Sequence, residues 1–162
     1  MHWIKAFSLD RLPRLAALGA LLACGGCYTA PKAPLFTASG PGWRVQEGQA
    51  LWRPMRDFPE LGGELVVARD DDGRCMMQFA KTPLALVQTQ TTREKWRIEF
   101  PPRRMRFGGK LPPPTRFAWL YLPAALSGQP LPDRFHFEQK ADGGWRLENT
   151  RSGETVEGFL SP

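Results

Sequence analysis

From Trp43 onward, the chain is dominated by an alternation of apolar and polar residues with a period of two. This period is typical of β-strands that bury one face and leave the other in water. Four segments follow the pattern most closely: 95–100, 104–107, 134–138 and 145–148. Residues 61–68 and 75–80 flank a polar turn that contains a glycine, which predicts a hairpin. The sequence therefore predicts a mainly β protein.

The first and last parts of this region extend the same prediction. Trp43, Val45 and Leu51 share one parity, interrupted by Glu47 and Gly48, which indicates either one bent strand or a short hairpin. Residues 85–91 and 95–100 form a further hairpin, and a last strand is expected near 154–160. We expect a curved antiparallel meander of about seven strands.

A single short helix is predicted, over residues 117–122 and 124–126, with Pro123 at its start or at a kink. One helix of this length covers only part of a seven-stranded sheet. The sheet must curl to cover the rest of its apolar face, or an apolar groove remains. The alternative is that these residues are simply the core of a small β domain. The candidate ligand-binding residues of this face are Leu65, Val67, Met77, Phe79, Trp96, Ile98, Phe100, Met105, Phe107, Trp119, Phe135, Phe137, Trp145 and Leu147.

An unbroken apolar run at residues 15–24 follows Lys5, Arg11 and Arg14. A positive segment, a short apolar segment and a small-residue end are the parts of an export signal, predicted here at 1–23. The run is shorter than the roughly 20 apolar residues that a membrane-spanning helix needs. Its end, Leu-Leu-Ala-Cys at 21–24, resembles the bacterial lipobox, which implies a diacylated Cys24 as the mature N-terminus. The alternative is an ordinary secretory signal.

The predicted boundaries follow from that cleavage site. Residues 24–42 are expected to form the acylated N-terminus and a flexible tether, and residues 43–162 the β domain. Within the tether, Tyr28, Leu35 and Phe36 offer an alternative, a first irregular edge of the domain. Because Gly25 and not Asp follows Cys24, the resemblance implies sorting to the outer membrane, facing the periplasm. The membrane is then the first predicted partner, through the lipid on Cys24.

Charge and cysteines exclude several classes of function. Without residues 1–23 the chain keeps 19 basic and 15 acidic residues, a mild and interleaved excess that argues against nucleic-acid binding. Cys24 and Cys27 lie at the cleavage site without a second Cys pair, so no metal site and no cofactor is predicted. Cys75 is either a partner of Cys27 in an oxidising compartment or a small buried hydrophobe.

Three stretches carry a resemblance to a known family. Gly63–Val67 opens a hairpin meander, residues 119–128 combine a helix with a glycine, and residues 144–148 form a Gly-Trp strand. Together with the lipobox, they resemble the LolA/LolB lipoprotein-localisation proteins over about residues 60–160. The resemblance implies a half-open barrel with a helical lid and an apolar cavity for lipoprotein acyl chains. Two features depart from the family: no helix precedes the first strand, and the turn at 70–73 is acidic.

No catalytic site is predicted. The chain has no GxSxG or HExxH sequence, and His136 falls on the charged side of its strand. Glu99, Glu138 and Glu148 alternate with basic residues, which favours ion pairs over paired catalytic carboxylates. The function expected from the sequence is therefore a lipid-anchored envelope protein that binds an acyl chain or a lipoprotein. The alternative is a non-enzymatic scaffold with a closed β core that docks an envelope protein.

Overall fold

The alternating segments form one antiparallel sheet in a computed structural model, which describes residues 33–38 and 40–161. Its nine strands are β1 (Arg44–Arg53), β2 (Leu61–Arg69), β3 (Cys75–Lys81), β4 (Leu84–Thr91), β5 (Lys95–Phe100), β6 (Met105–Lys110), β7 (Phe135–Gln139), β8 (Trp145–Asn149) and β9 (Glu154–Leu160). Helical structure in the described part is limited to the 3-10 turns Pro101–Arg103 and Ala118–Leu120 and to α1 (Leu122–Leu126).

The strand order across the sheet is β6-β5-β4-β3-β2-β1-β9-β8-β7, and every neighbouring pair is antiparallel. β6 and β7 are the two edges, so the sheet is open. The prediction of a mainly β, antiparallel chain is confirmed, but the prediction of about seven strands is wrong. The short alternating runs at both edges form full strands, because β6 pairs with β5 at all six of its residues and β7 pairs with β8 at all five.

The first strand differs from its prediction in which side it buries. β1 is one continuous strand that pairs with β2 along its length and with β9 over its second half. Val45 and Leu51, which share the parity expected to be apolar, are 57% and 42% exposed, whereas Ala50 and Trp52 are buried. Both parities carry apolar residues here, and pairing with β2 and β9 on either side determines which one faces the core.

One face of the sheet is covered by residues 117–126, which we call the cover segment. Pro123 lies in the first turn of α1, the position where its missing N–H costs nothing. Ala118, Trp119, Leu120 and Leu122 are buried against the strands. We call the sheet face under this segment the covered face and the opposite one the outer face.

Residues 34–36 lie along the outer face. The Gln90 side chain accepts a hydrogen bond from the Leu35 N–H and donates one to the Phe36 carbonyl, both at 2.8 Å. Phe36 stacks on Trp43 at 5.5 Å between ring centroids, with the Arg74 guanidinium over both rings. Docking of Leu35 and Phe36 was the alternative to a tether, and at these two residues the chain does contact the domain.

The predicted signal, Cys24 and Cys27 lie outside the described residues. Within the described part, no helix is long and apolar enough to cross a membrane. Cys75 is a buried free thiol among these residues, and its burial raises its pKa to about 11.

Candidate functional site

The strand pairing brings the predicted apolar residues to the covered face. Leu65 lies opposite Phe79, Val67 opposite Met77, and each pair is almost fully buried. Thirteen of the fourteen candidates lie on strands, whereas Trp119 belongs to the cover segment. Exposure rises toward the sheet edges: Phe100, Phe107 and Phe137 are half-buried, and Met105 is 36% exposed.

Trp119 occupies the middle of the covered face. Its ring stacks on Phe79 at 5.1 Å between centroids and meets Trp52 edge-on at 5.8 Å. Only 1% of Trp119 is exposed. The Trp119 ring therefore occupies the part of the covered face where the sequence predicted a groove for an apolar ligand.

A buried carboxylate joins the cover segment to the sheet. Glu154 of β9 accepts a hydrogen bond from the Ala118 N–H at 3.1 Å and another from the Trp52 indole N–H at 3.0 Å. Burial raises the pKa of Glu154 to about 7, although both hydrogen bonds favour the ionised form. This group changes its charge near neutral pH while it holds the cover segment.

Two further side-chain hydrogen bonds hold the chain on either side of the cover segment. Asn149 of β8 donates to the Thr115 carbonyl at 2.7 Å, and Arg69 of β2 donates to the Ser127 hydroxyl at 3.0 Å. The indole N–H groups of Trp119 and Trp145 are buried and find no acceptor among the described residues. Apolar contact therefore dominates the attachment of the cover segment, with few polar contacts to direct it.

The β6 side of the covered face is an aromatic cluster that the cover segment only partly closes. Phe117 packs against Phe107 at 5.3 Å and against Trp96 and Phe100, each at 6.1 Å, between ring centroids. The guanidinium of Arg116 lies over the rings of Phe107 and Phe117 at 5.2 and 4.8 Å. This end of the face combines half-buried aromatic rings with a cation that lies over two of them.

The sequence did not single out several residues of this site. Trp52 and Glu154 contact the cover segment, and Ala50, Val87 and Val156 belong to the same buried core cluster as its residues. For Val156, the alternation of apolar and polar residues in the last strand was enough to predict its burial. Glu154 carried no such signal, because a charged residue at a strand end is ordinarily exposed.

A groove of about 680 Å³ lies on the outer face and not on the covered face. Its lining includes outward residues of β1, β2 and β9, with Leu51 and Phe159 42% and 48% exposed, and residues of the β3–β4 and β7–β8 turns. Glu157, which pairs with Lys140 at 3.5 Å and Arg146 at 3.2 Å, makes one wall of the groove polar. Its mixed charged and apolar lining differs from the apolar cavity that the sequence predicts.

Titratable groups elsewhere are dispersed. Glu99 pairs with Arg97 and Arg106 on one side of the sheet, while Glu138 and Glu148 lie on β7 and β8 at the other edge. The sheet order therefore keeps Glu99 away from the other two carboxylates. Among the described residues, no group of three or more His, Cys, Asp and Glu side chains is arranged to hold a metal ion.

Comparison with known proteins adds no family. No protein-family model matches the chain, and no curated protein matches it.

Proposed function

We propose that this protein is a lipid-anchored, non-catalytic protein of the bacterial envelope that binds an acyl chain or the acylated end of a lipoprotein. In this proposal Cys24 carries the anchor, in the outer membrane facing the periplasm. The sheet acts as a half-open barrel of the LolA/LolB type, and the acyl chain takes the place of the cover segment on the covered face.

The observation that supports the proposal is the way the cover segment is held. Its backbone–backbone hydrogen bonds within the described residues are local, such as those from Leu120 to Phe117 and from Ala125 to Tyr121. The segment can leave the sheet without breaking a strand ladder. What it loses is mainly apolar contact, which an acyl chain is able to replace.

The edges of the covered face support the same proposal. Phe107 and Phe137 lie on opposite edge strands and are both half-buried, so apolar surface continues beyond the cover segment. An acyl chain has apolar surface to contact before the cover segment moves. Binding then shifts an equilibrium between covered and open states.

Titration of the full chain with a fluorescent sixteen-carbon fatty acid tests the proposal. We expect saturable uptake, and tighter uptake by Glu154→Ala, which loses the hydrogen bonds to Ala118 and Trp52. Glu148→Ala on the outward side of β8 is the matched control and is expected to behave as wild type. Trp119→Phe is a second variant, in case Glu154→Ala does not fold, because it makes space on the covered face at a smaller cost in stability than Trp119→Ala. No saturable uptake by any of these proteins contradicts the proposal.

The anchor is tested separately, by cell fractionation and mass spectrometry of the N-terminal peptide. We expect Cys24→Ser to release the protein from the membrane fraction and to remove the diacyl mass. Cys27→Ser is the matched control and is expected to leave both unchanged. A Cys24→Ser protein that stays in the membrane fraction contradicts the anchoring.

A scaffold with a closed core is the second candidate, and the burial of Trp119 favours it. In that case the partner docks on the outer face, where Leu51 and Phe159 are exposed beside the groove. A photo-crosslinker at Phe159 that captures one envelope protein in cells, together with no uptake of fatty acid, supports this candidate over the first.

A further inference from the structure

The positive charge of the described chain is concentrated at one edge of the sheet. Residues 93–116 carry eight cationic side chains against Glu94 and Glu99, whereas the other described residues carry ten basic and thirteen acidic ones. The eight are Arg93, Lys95, Arg97, Arg103, Arg104, Arg106, Lys110 and Arg116. They belong to the β5–β6 hairpin and the residues next to it, which we call the basic edge.

The positions of some of these cations lower the stability of the fold. Lys95 lies directly opposite Lys110 across the β5–β6 ladder, and both are exposed. Like charges directly opposite each other destabilise a strand pair. Arg103 and Arg104 are exposed side by side at the hairpin tip. Within the described residues, none of these four side chains forms an ion pair with an acid. All four are therefore available to bind an external anion.

Protection of an edge strand from aggregation does not account for this arrangement. Cations on an edge do oppose pairing with another chain. However, β7 is an equally free edge, and the β7–β8 hairpin with its neighbours, residues 133–151, carries four basic and four acidic side chains. The charge therefore belongs to this edge in particular.

The inference rests on the proposed function, in which a lipid on Cys24 holds the protein at a membrane. Pro34 lines a small cavity on the outer face with residues of β3, β4 and β5, including Arg97 and Glu99 of β5. The chain thus reaches the domain beside the basic edge. The ten residues from Cys24 to Pro34 span at most about 35 Å when fully extended. We infer that the basic edge binds anionic phospholipid headgroups and holds the domain against the bilayer to which it is anchored.

An environment-sensitive dye at the basic edge tests this inference. The full chain carries Cys24→Ser and Cys27→Ser, and the dye is attached to a cysteine introduced as Met105→Cys or, in the distant β7–β8 turn, as Ala141→Cys. Cys75 is kept because it is buried and does not react with the dye. We expect the dye at position 105 to shift to the blue on vesicles with about a third phosphatidylglycerol. The shift is expected to vanish at high salt and on phosphatidylcholine alone, because screening weakens contacts between exposed charges. The dye at 141 is expected to stay unchanged.

Two charge-matched variants identify the residues responsible. Lys95→Gln, Lys110→Gln, Arg103→Gln and Arg104→Asn together remove four cations of the basic edge; Asn suits the left-handed backbone of residue 104. The control removes four exposed cations elsewhere, at Arg44, Arg56, Lys81 and Arg151. Each lost contact is expected to weaken vesicle binding about fivefold. We therefore expect a loss of more than tenfold for the first variant and less than threefold for the control.

Equal losses in the two variants overturn the inference, as does an equal shift of the dyes at 105 and 141. Because Cys24 is replaced in every sample, these outcomes do not depend on lipidation. A failure of the anchor or of fatty-acid uptake is therefore distinguishable from a failure of the basic edge.

Discussion

Glu154 and Ala118 meet through a hydrogen bond of 3.1 Å between the buried carboxylate of β9 and the backbone N–H of the cover segment. The same carboxylate accepts a hydrogen bond from the Trp52 indole at 3.0 Å. A titratable group therefore lies where the cover meets the sheet, and its protonation is linked to folding.

The first prediction concerns the pH dependence of stability. Burial raises the pKa of Glu154 from 4.5 to about 7. Between these values the unfolded chain has lost the proton and the folded chain still holds it, so stability falls as pH rises. Its contribution is fully present below pH 4.5 and is lost by about pH 7. The free energy of unfolding is expected to drop by about 3 kcal/mol across this window through this group.

Urea denaturation at several pH values measures this effect. Glu154→Gln does not titrate and is expected to lack this part of the pH dependence. Glu148→Gln, on the outward side of β8, is the control. Parallel pH profiles for wild type and Glu154→Gln would show that the carboxyl titrates at its ordinary pKa in the folded protein.

The second prediction concerns Trp119. Its ring fills the centre of the covered face against Phe79 and Trp52, so Trp119→Ala leaves a large apolar cavity. The free energy of unfolding is expected to fall by about 3–5 kcal/mol, and by less for Trp119→Phe. Chemical denaturation gives both values. A loss below about 1 kcal/mol for Trp119→Ala means that the cover segment is not packed on the sheet in solution.

The alternation predicted the sheet and most of its covered face because a two-residue period relates each side chain directly to one side of a strand. It could not orient β1, where Leu51 and Trp52 place apolar side chains on both parities. It also could not reveal that Trp119 fills the face, since the volume between cover and sheet depends on contacts far apart in sequence. Glu154 was missed for a related reason. Its partners Trp52 and Ala118 lie 102 and 36 residues away.

The third prediction concerns the close approach of β1 and β9. A Cβ on Gly158 would overlap the Gln49 carbonyl oxygen, and the obstacle is backbone that cannot move aside alone. Gly158→Ala is expected to cost at least about 2 kcal/mol of unfolding free energy. Gly62→Ala is the matched control, because its nearest neighbour is the Leu51 side chain at 3.4 Å. Thermal or urea unfolding that ranks the two variants equally contradicts the close approach.

The fourth prediction concerns the attachment of residues 34–36 to the outer face. Gln90 makes two hydrogen bonds to the backbone of Leu35 and Phe36, each at 2.8 Å. Each is expected to contribute about 1 kcal/mol, so Gln90→Ala should release this segment and leave the sheet folded. Amide hydrogen exchange at Leu35 is expected to accelerate by more than tenfold, with little change in the strands.

Gln88→Ala is the matched control for this last variant. Gln88 lies two residues earlier on the same face of β4, and its side chain bonds to Gln78 at 3.2 Å instead of to the 34–36 segment. We expect exchange at Leu35 to stay at the wild-type rate in this protein. If neither variant accelerates it, the segment is held by the stacking of Phe36 on Trp43 and by Arg74, and the Gln90 contacts contribute little.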